Sequence, residues 1–332
     1  MIKIKTLLAG LLLAASGLAS AQNVVKISVP TINDGFVPWV DTFKKEVETN
    51  TKGALKVDAY YGGQLGSIQA SLNGVLTNTM QITFALPGFF VSAEPRLMVL
   101  EAGGVFDNME HAQRVLDDSA SRRVINSWMT EKPAFVLTVW TFAPTSIAMC
   151  KPITAVKELD GLRLRIPPSH MLNDVWKQYG ITSVSTNTAE VPMAMSTGAI
   201  KGSLTSPGIA LAQKYYDIRD CQTLFIVPGL YNNAVGLVSR TWFDSLTADQ
   251  KKIVLDATKK AEAAAAKYAR EDLGRTLDAW GKAGGRVFHP APADRDLFIA
   301  TTTRIQQGVL DKNPVVKADY DVFGVAAQRY RK

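Results

Sequence analysis

The stretch Glu158-Leu159-Asp160-Gly161-Leu162-Arg163-Leu164-Arg165-Ile166-Pro167-Pro168-Ser169 carries the most pointed chemistry in this chain of 332 residues. Alternation puts Leu162, Leu164 and Ile166 on one face of a strand and Arg163 and Arg165 on the other, and Pro167-Pro168 stops that strand abruptly. Arg165 therefore stands at a strand's carboxyl end, where open α/β sheets place ligands. A guanidinium there presents a planar fork that grips a carboxylate through two charge-assisted hydrogen bonds. The alternative is an exposed arginine on an edge strand.

Other chemistries lack their signatures. His111, His170 and His289 are not spaced with a second histidine or a carboxylate as a metal site requires. No Gly-x-Ser-x-Gly elbow occurs, and no glycine-rich phosphate loop or dinucleotide fingerprint follows a strand. Asp107, Glu110, Glu131, Glu158, Asp160 and Glu190 could pair in space for acid–base work, but nothing in the sequence couples any two. These readings favour a binder without metal or cofactor over an enzyme. An exported hydrolase or lyase acting on a small carboxylic acid is the rival.

Composition agrees with a globular chain: 47% of residues are hydrophobic and 20% charged. The 37 basic and 30 acidic residues give a net charge of +7. The basic residues are scattered rather than run together, which argues against a nucleic-acid partner. Lys3 and Lys5, the apolar stretch from Leu7 to Leu18, and Ala19-Ser20-Ala21 have the form of a secretory signal peptide over residues 1–21. That apolar stretch is short of the ~20 residues a membrane span needs, and no later segment is apolar enough, so the product is expected to be exported to the periplasm and not itself embedded in a membrane. The only cysteines, Cys150 and Cys221, are either a disulfide formed in an oxidising compartment or two buried thiols. A bond closing a loop of ~70 residues would add roughly 4 kcal/mol in the chain-entropy model.

The elements that must position Arg165 follow from periodicity. Val24 to Val29 reads as a strand, Val37 to Glu48 as a helix and Leu55 to Ala59 as a second strand. Helix Ile68 to Leu76 and strand Met80 to Ala85 continue the alternation expected of an α/β sheet. From Thr247 to about Lys282, a capping box at Thr247 and Gln250 opens a run of high helix propensity that would extend roughly 50 Å. Such a helix is long enough to be shared by two domains. Two helices meeting at Gly274 are the alternative.

At these residues the chain resembles the solute-binding proteins of tripartite ATP-independent periplasmic (TRAP) transporters. The likeness runs through Thr51-Lys52-Gly53, Gly62-Gly63-Gln64-Leu65-Gly66, Leu159 to Pro167, Glu190-Val191, Thr197 to Gly202 and Lys214-Tyr215-Tyr216, and ends in the long helix. The resemblance implies an α/β, two-domain periplasmic-binding-protein-like fold with crossing strands and one long helix spanning both domains. Residues 22–142 with about 231–270 would form one domain, and residues 143–230 with about 271–332 the other. It implies closure on a small organic acid that is delivered to the membrane permease subunits, with Arg165 holding the carboxylate and Arg163 serving structure. Where family members often read Val-Asp-Gly-Gln-Glu-Asn, this chain has Ile200-Lys201-Gly202-Ser203-Leu204-Thr205, so Thr205 replaces a ligand-contacting asparagine. Thr145 and Leu86 stand where some members carry an arginine and a glutamate. With Phe36, Trp39, Phe84, Asn187 and Tyr231 completing the expected lining, the expected ligand is a monocarboxylate with an apolar or aromatic body, held by one salt bridge and a few neutral hydrogen bonds.

Overall fold

The computed structural model describes residues 23–331, so the segment read as a signal peptide lies outside the described residues. One mixed sheet runs through the molecule. Its strands are β1 (Asn23–Ser28), β2 (Leu55–Tyr60), β3 (Ile82–Ala85), β4 (Ala134–Met149), β5 (Arg163–Arg165), β6 (Thr182–Val184), β7 (Gly202–Thr205), β8 (Thr223–Ser239) and β9 (Arg286–Phe288). They lie in the order β2-β1-β3-β8-β4-β7-β5-β6, with β9 beside β8.

The two long strands give the sheet its two halves. β4 and β8 pair antiparallel from Ala134 with Ser239 to Met149 with Thr223, and their register shifts around Val136, Thr141 and Pro144. At one end β8 takes β3 as a neighbour. At the other end β9 flanks β8 and β7 flanks β4. β4 is almost wholly buried.

The helix expected from Thr247 is continuous over Ala248–Lys282. The Thr247 hydroxyl accepts from the Gln250 N–H at 3.2 Å, and the Gln250 side chain returns the bond to the Thr247 N–H at 3.0 Å. Gly274 costs such a helix about 1 kcal/mol relative to alanine, too little to break it. Val254, Ala257, Ala261 and Ala265 pack into the core of the first half with Trp39, Phe43 and Trp140. Trp280, near the other end, is buried with Cys221 and Leu224 in the second half. One helix therefore joins both cores.

Cys150 and Cys221 are bonded, fastening the chain just after β4 to the chain just before β8. The carboxyl-terminal helix Pro314–Tyr330 departs from the expected division, in which residues 271–332 fall within the second domain. Its Val316, Phe323, Ala326 and Ala327 are buried with Leu97, Val115, Leu116 and Trp128 of the first half. Trp128 also donates its indole N–H to Asp319 at 2.7 Å. The chain crosses back because this apolar face finds its cover there.

Candidate functional site

Arg165 is the last residue of β5. There it pairs with Val184 of β6 and Ser203 of β7. Its neighbour on the same strand face, Arg163, is exposed, whereas Arg165 is only 5% exposed. Nε and Nη2 of Arg165 donate to the Thr186 carbonyl at 3.3 and 3.2 Å, and Nη2 also to the Thr188 hydroxyl at 3.4 Å. The guanidinium carbon lies 5.6 Å from the centre of the Phe89 ring, which comes from the opposite half. Among the described residues no carboxylate pairs with this cation. Burial pulls its pKa down to about 10, opposed only by the Tyr215 phenol, whose own pKa burial raises. A buried charge left with neutral partners costs free energy that an incoming anion can recover.

The guanidinium faces a small open-mouthed chamber whose walls include Phe36, Leu86, Phe89, Thr205, Ile209 and Tyr215. A second small chamber shares Leu86, Leu204 and Thr205 with the first and adds Glu101, Thr145, Tyr231, Asn232 and Asn233. The Thr145 hydroxyl donates to Asn232 at 3.1 Å, and the Asn232 amide donates to the Thr205 carbonyl at 3.0 Å. The Thr205 hydroxyl and Asn233 Oδ1 are buried without a hydrogen-bond partner among the described residues. The arrangement thus offers one cation, an apolar floor and neutral polar atoms free to bond. Such a set is chemically suited to hold and orient an anion.

Residues 37–313 match the model of the bacterial extracellular solute-binding proteins, family 7. The chain belongs to that family. These are the solute-binding proteins of TRAP transporters, transport proteins rather than enzymes. A solute-binding protein of Verminephrobacter eiseniae is 26% identical over 247 residues, 73% of this chain and 72% of its own. The C4-dicarboxylate-binding periplasmic protein DctP of Rhodobacter capsulatus is 24% identical over 295 residues, 86% of this chain and 88% of its own. Among solved structures, the sugar acid binding protein of Advenella mimigardefordensis in complex with galactonate superposes with a TM-score of 0.85 at 20% identity, covering 93% of this chain and 99% of that one. The two-lobed α/β fold is shared with that structure.

In this binding protein the residues singled out from sequence separate into three groups. Arg165, Phe36, Leu86 and Thr205 meet around the first chamber, and Thr145 and Tyr231 join Leu86 and Thr205 around the second. Tyr231 donates its hydroxyl to the Asp107 carbonyl at 2.9 Å, so its polar end is already engaged. Asn187 is exposed on the outer rim, where its amide donates to Glu190 at 3.2 Å. Trp39 and Phe84 line neither chamber, correcting the expectation for both. They are fully buried in an aromatic core, their ring centres 4.8 Å apart, with Phe43 stacked 4.7 Å from Trp39. An aromatic side chain gains more from that packing than from a half-polar cleft wall.

Sequence reasoning missed Phe89, Thr186, Thr188, Ser203 and Ile209. The Thr186 contribution is a backbone carbonyl, to which side-chain identity is blind. Tyr215 belongs to the Lys214-Tyr215-Tyr216 segment and could have been found there. Among the described residues no group of acids, histidines or cysteines could hold a metal ion, and no helix is long and apolar enough to cross a membrane.

Proposed function

We propose that this protein captures the anion of a small organic acid in the periplasm, its signal peptide being residues 1–21, and hands it to a TRAP-type permease. The observation that carries the reading is Arg165: a guanidinium almost wholly out of water, hydrogen-bonded to two neutral oxygens and, among the described residues, to no acid. The halves that close over the solute are those built on β2-β1-β3 and on β7-β5-β6. The class of ligand is supported by relatives whose names print 2,3-diketo-L-gulonate and C4-dicarboxylate, and by related structures holding galactonate and succinate.

The ligand is a monocarboxylate with an apolar or aromatic body. Phe36, Leu86, Phe89 and Ile209 supply apolar walls around the cation, and among the described residues Arg165 is the sole cation lining either chamber. The Thr205 hydroxyl and Asn233 are placed to add neutral hydrogen bonds. Thermal-shift screening against aliphatic and aromatic monocarboxylates, succinate and galactonate, followed by titration calorimetry with Arg165→Ala, tests both levels. The largest shift is expected from an aliphatic or aromatic monocarboxylate, and it should vanish in the variant. A largest shift from galactonate would overturn the apolar body alone, one from succinate would overturn the single carboxylate as well, and undiminished affinity in Arg165→Ala would remove the residue from the site.

A further inference from the structure

The second chamber joins the one before Arg165 along a common wall of Leu86, Leu204 and Thr205, yet its polarity is its own. Glu101 lines it. This residue is 7% exposed, and among the described residues no lysine or arginine pairs with it. Its partners are two donors, the Ser169 hydroxyl at 2.6 Å from Oε2 and the Gly88 N–H. A carboxylate can accept about four hydrogen bonds, so about two of its lone-pair sites stay open. Asn233 lines the same chamber and is fully buried. Its amide donates to the carbonyl of Leu100, the residue before Glu101, at 2.7 Å, and its Oδ1 has no hydrogen-bond partner among the described residues.

The donors of this chamber are already engaged. Thr145 donates to Asn232, Asn232 to the Thr205 carbonyl and Tyr231 to the Asp107 carbonyl. A surplus of acceptors remains, with the unpartnered Thr205 hydroxyl able to turn either way. A buried acceptor without a donor costs free energy, so the chamber favours a guest that brings O–H or N–H groups. A guest carboxylate would bring further lone pairs and a second negative charge, and no cation lines this chamber among the described residues.

We propose that the second chamber receives the end of the solute remote from Arg165, and that this end carries a hydrogen-bond donor, a hydroxyl or an ammonium, accepted by Glu101 and Asn233. The assignment rests on Arg165 as the anion site. The solute is then a monocarboxylate with an apolar middle and a donor at its tail. Glu101 sets specificity in both directions, drawing in the donor and repelling a second carboxylate.

Titration calorimetry with two matched sets of acids tests this. One set is butyrate, 4-hydroxybutyrate, 4-aminobutyrate and succinate; the other is hexanoate, 6-hydroxyhexanoate, 6-aminohexanoate and adipate. The buffer is held at about pH 8.5, above the value of about 7 to which burial raises the Glu101 carboxyl. In the set that binds tighter, the hydroxy or amino acid should bind about tenfold or more tighter than the unsubstituted acid, the scale of a hydrogen bond to a charged group. It should bind at least about a hundredfold tighter than the diacid, which places like charges together. Glu101→Gln keeps the shape and loses the charge, and should shrink that second ratio at least about tenfold. An unsubstituted acid that binds as tightly as its hydroxy and amino counterparts would overturn the far-end assignment while leaving the anion site intact. An unchanged ratio in Glu101→Gln would do the same, and so would a diacid that binds wild type as well as the donor-bearing acids. Failure of the anion site itself would show differently, as undiminished affinity for the same acid in Arg165→Ala. Absence of binding by every acid in both sets would overturn the donor-tailed solute and leave Arg165 to the wider screen.

Discussion

Arg122 and Arg165 are both withdrawn from water, but they meet it on different terms. Arg122 forms ion pairs with Glu262 of the long helix and with Asp117, and Glu262 in turn accepts from the Thr138 hydroxyl at 2.9 Å. Burial would lower the pKa of Arg122, yet Glu262 and Asp117 together raise it. Arg165 is more deeply buried, has only neutral oxygens and a ring face, and burial prevails. The protein supplies the counter-charge in one place and leaves it to be supplied in the other. A buried cation with its own acid is a fastening, and one without, on the reading proposed above, awaits an acid from outside.

The contrast can be broken most forcefully at Arg165. Arg165→Ala should weaken binding of the captured anion about thirtyfold or more, since losing one partner of a buried pair costs roughly 2–5 kcal/mol. Calorimetry would show it. Arg165→Met should leave the melting temperature of the empty protein unchanged or raised, because an unpaired buried charge has been replaced by apolar volume. A lowered melting temperature there would mean that the cation is structural after all.

Arg122→Met should do the reverse, keeping the affinity and lowering stability by about 2–3 kcal/mol in chemical denaturation. That is below the roughly 3–5 kcal/mol of a fully buried pair that loses one partner, because Arg122 keeps 27% of its side chain exposed. Glu101 extends the comparison to acids. Burial raises its pKa from 4.5 to about 7, against the Ser169 and Gly88 hydrogen bonds. A raised carboxyl pKa contributes stability below the unfolded value and loses it as pH rises through the folded one. Wild type should therefore fall behind Glu101→Gln by about 2 kcal/mol between about pH 5 and pH 8, measured as denaturant midpoints, with the two alike at the acid end. The smallest effect belongs to Thr205→Val: about tenfold or less in affinity, the scale of one neutral hydrogen bond, with no loss of stability in the empty protein.

The placement of Arg165 was readable because a three-residue strand stopped by two prolines leaves little freedom for where its last side chain stands. The long helix was equally plain, its cap and alanine run both local features. What escaped depended on partners distant in the chain. Phe89 reaches Arg165 across the cleft, and Pro314–Tyr330 found its cover some 200 residues back, as the contact of Ala327 with His111 shows at a separation of 216. Trp39 and Phe84 were mistaken for cleft residues because an aromatic near a cleft segment looks alike on either face of a sheet; only the register with β8, where Phe84 lies opposite Gly236, settles which side it fills.

The uninterrupted helix from Ala248 to Lys282 also gives the molecule a ruler of its own. Spin labels at the exposed positions Lys252 and Asp278 would sit about 39 Å apart at 1.5 Å per residue, whatever the lobes are doing. Any second pair of labels could be calibrated against that spacing within the same molecule.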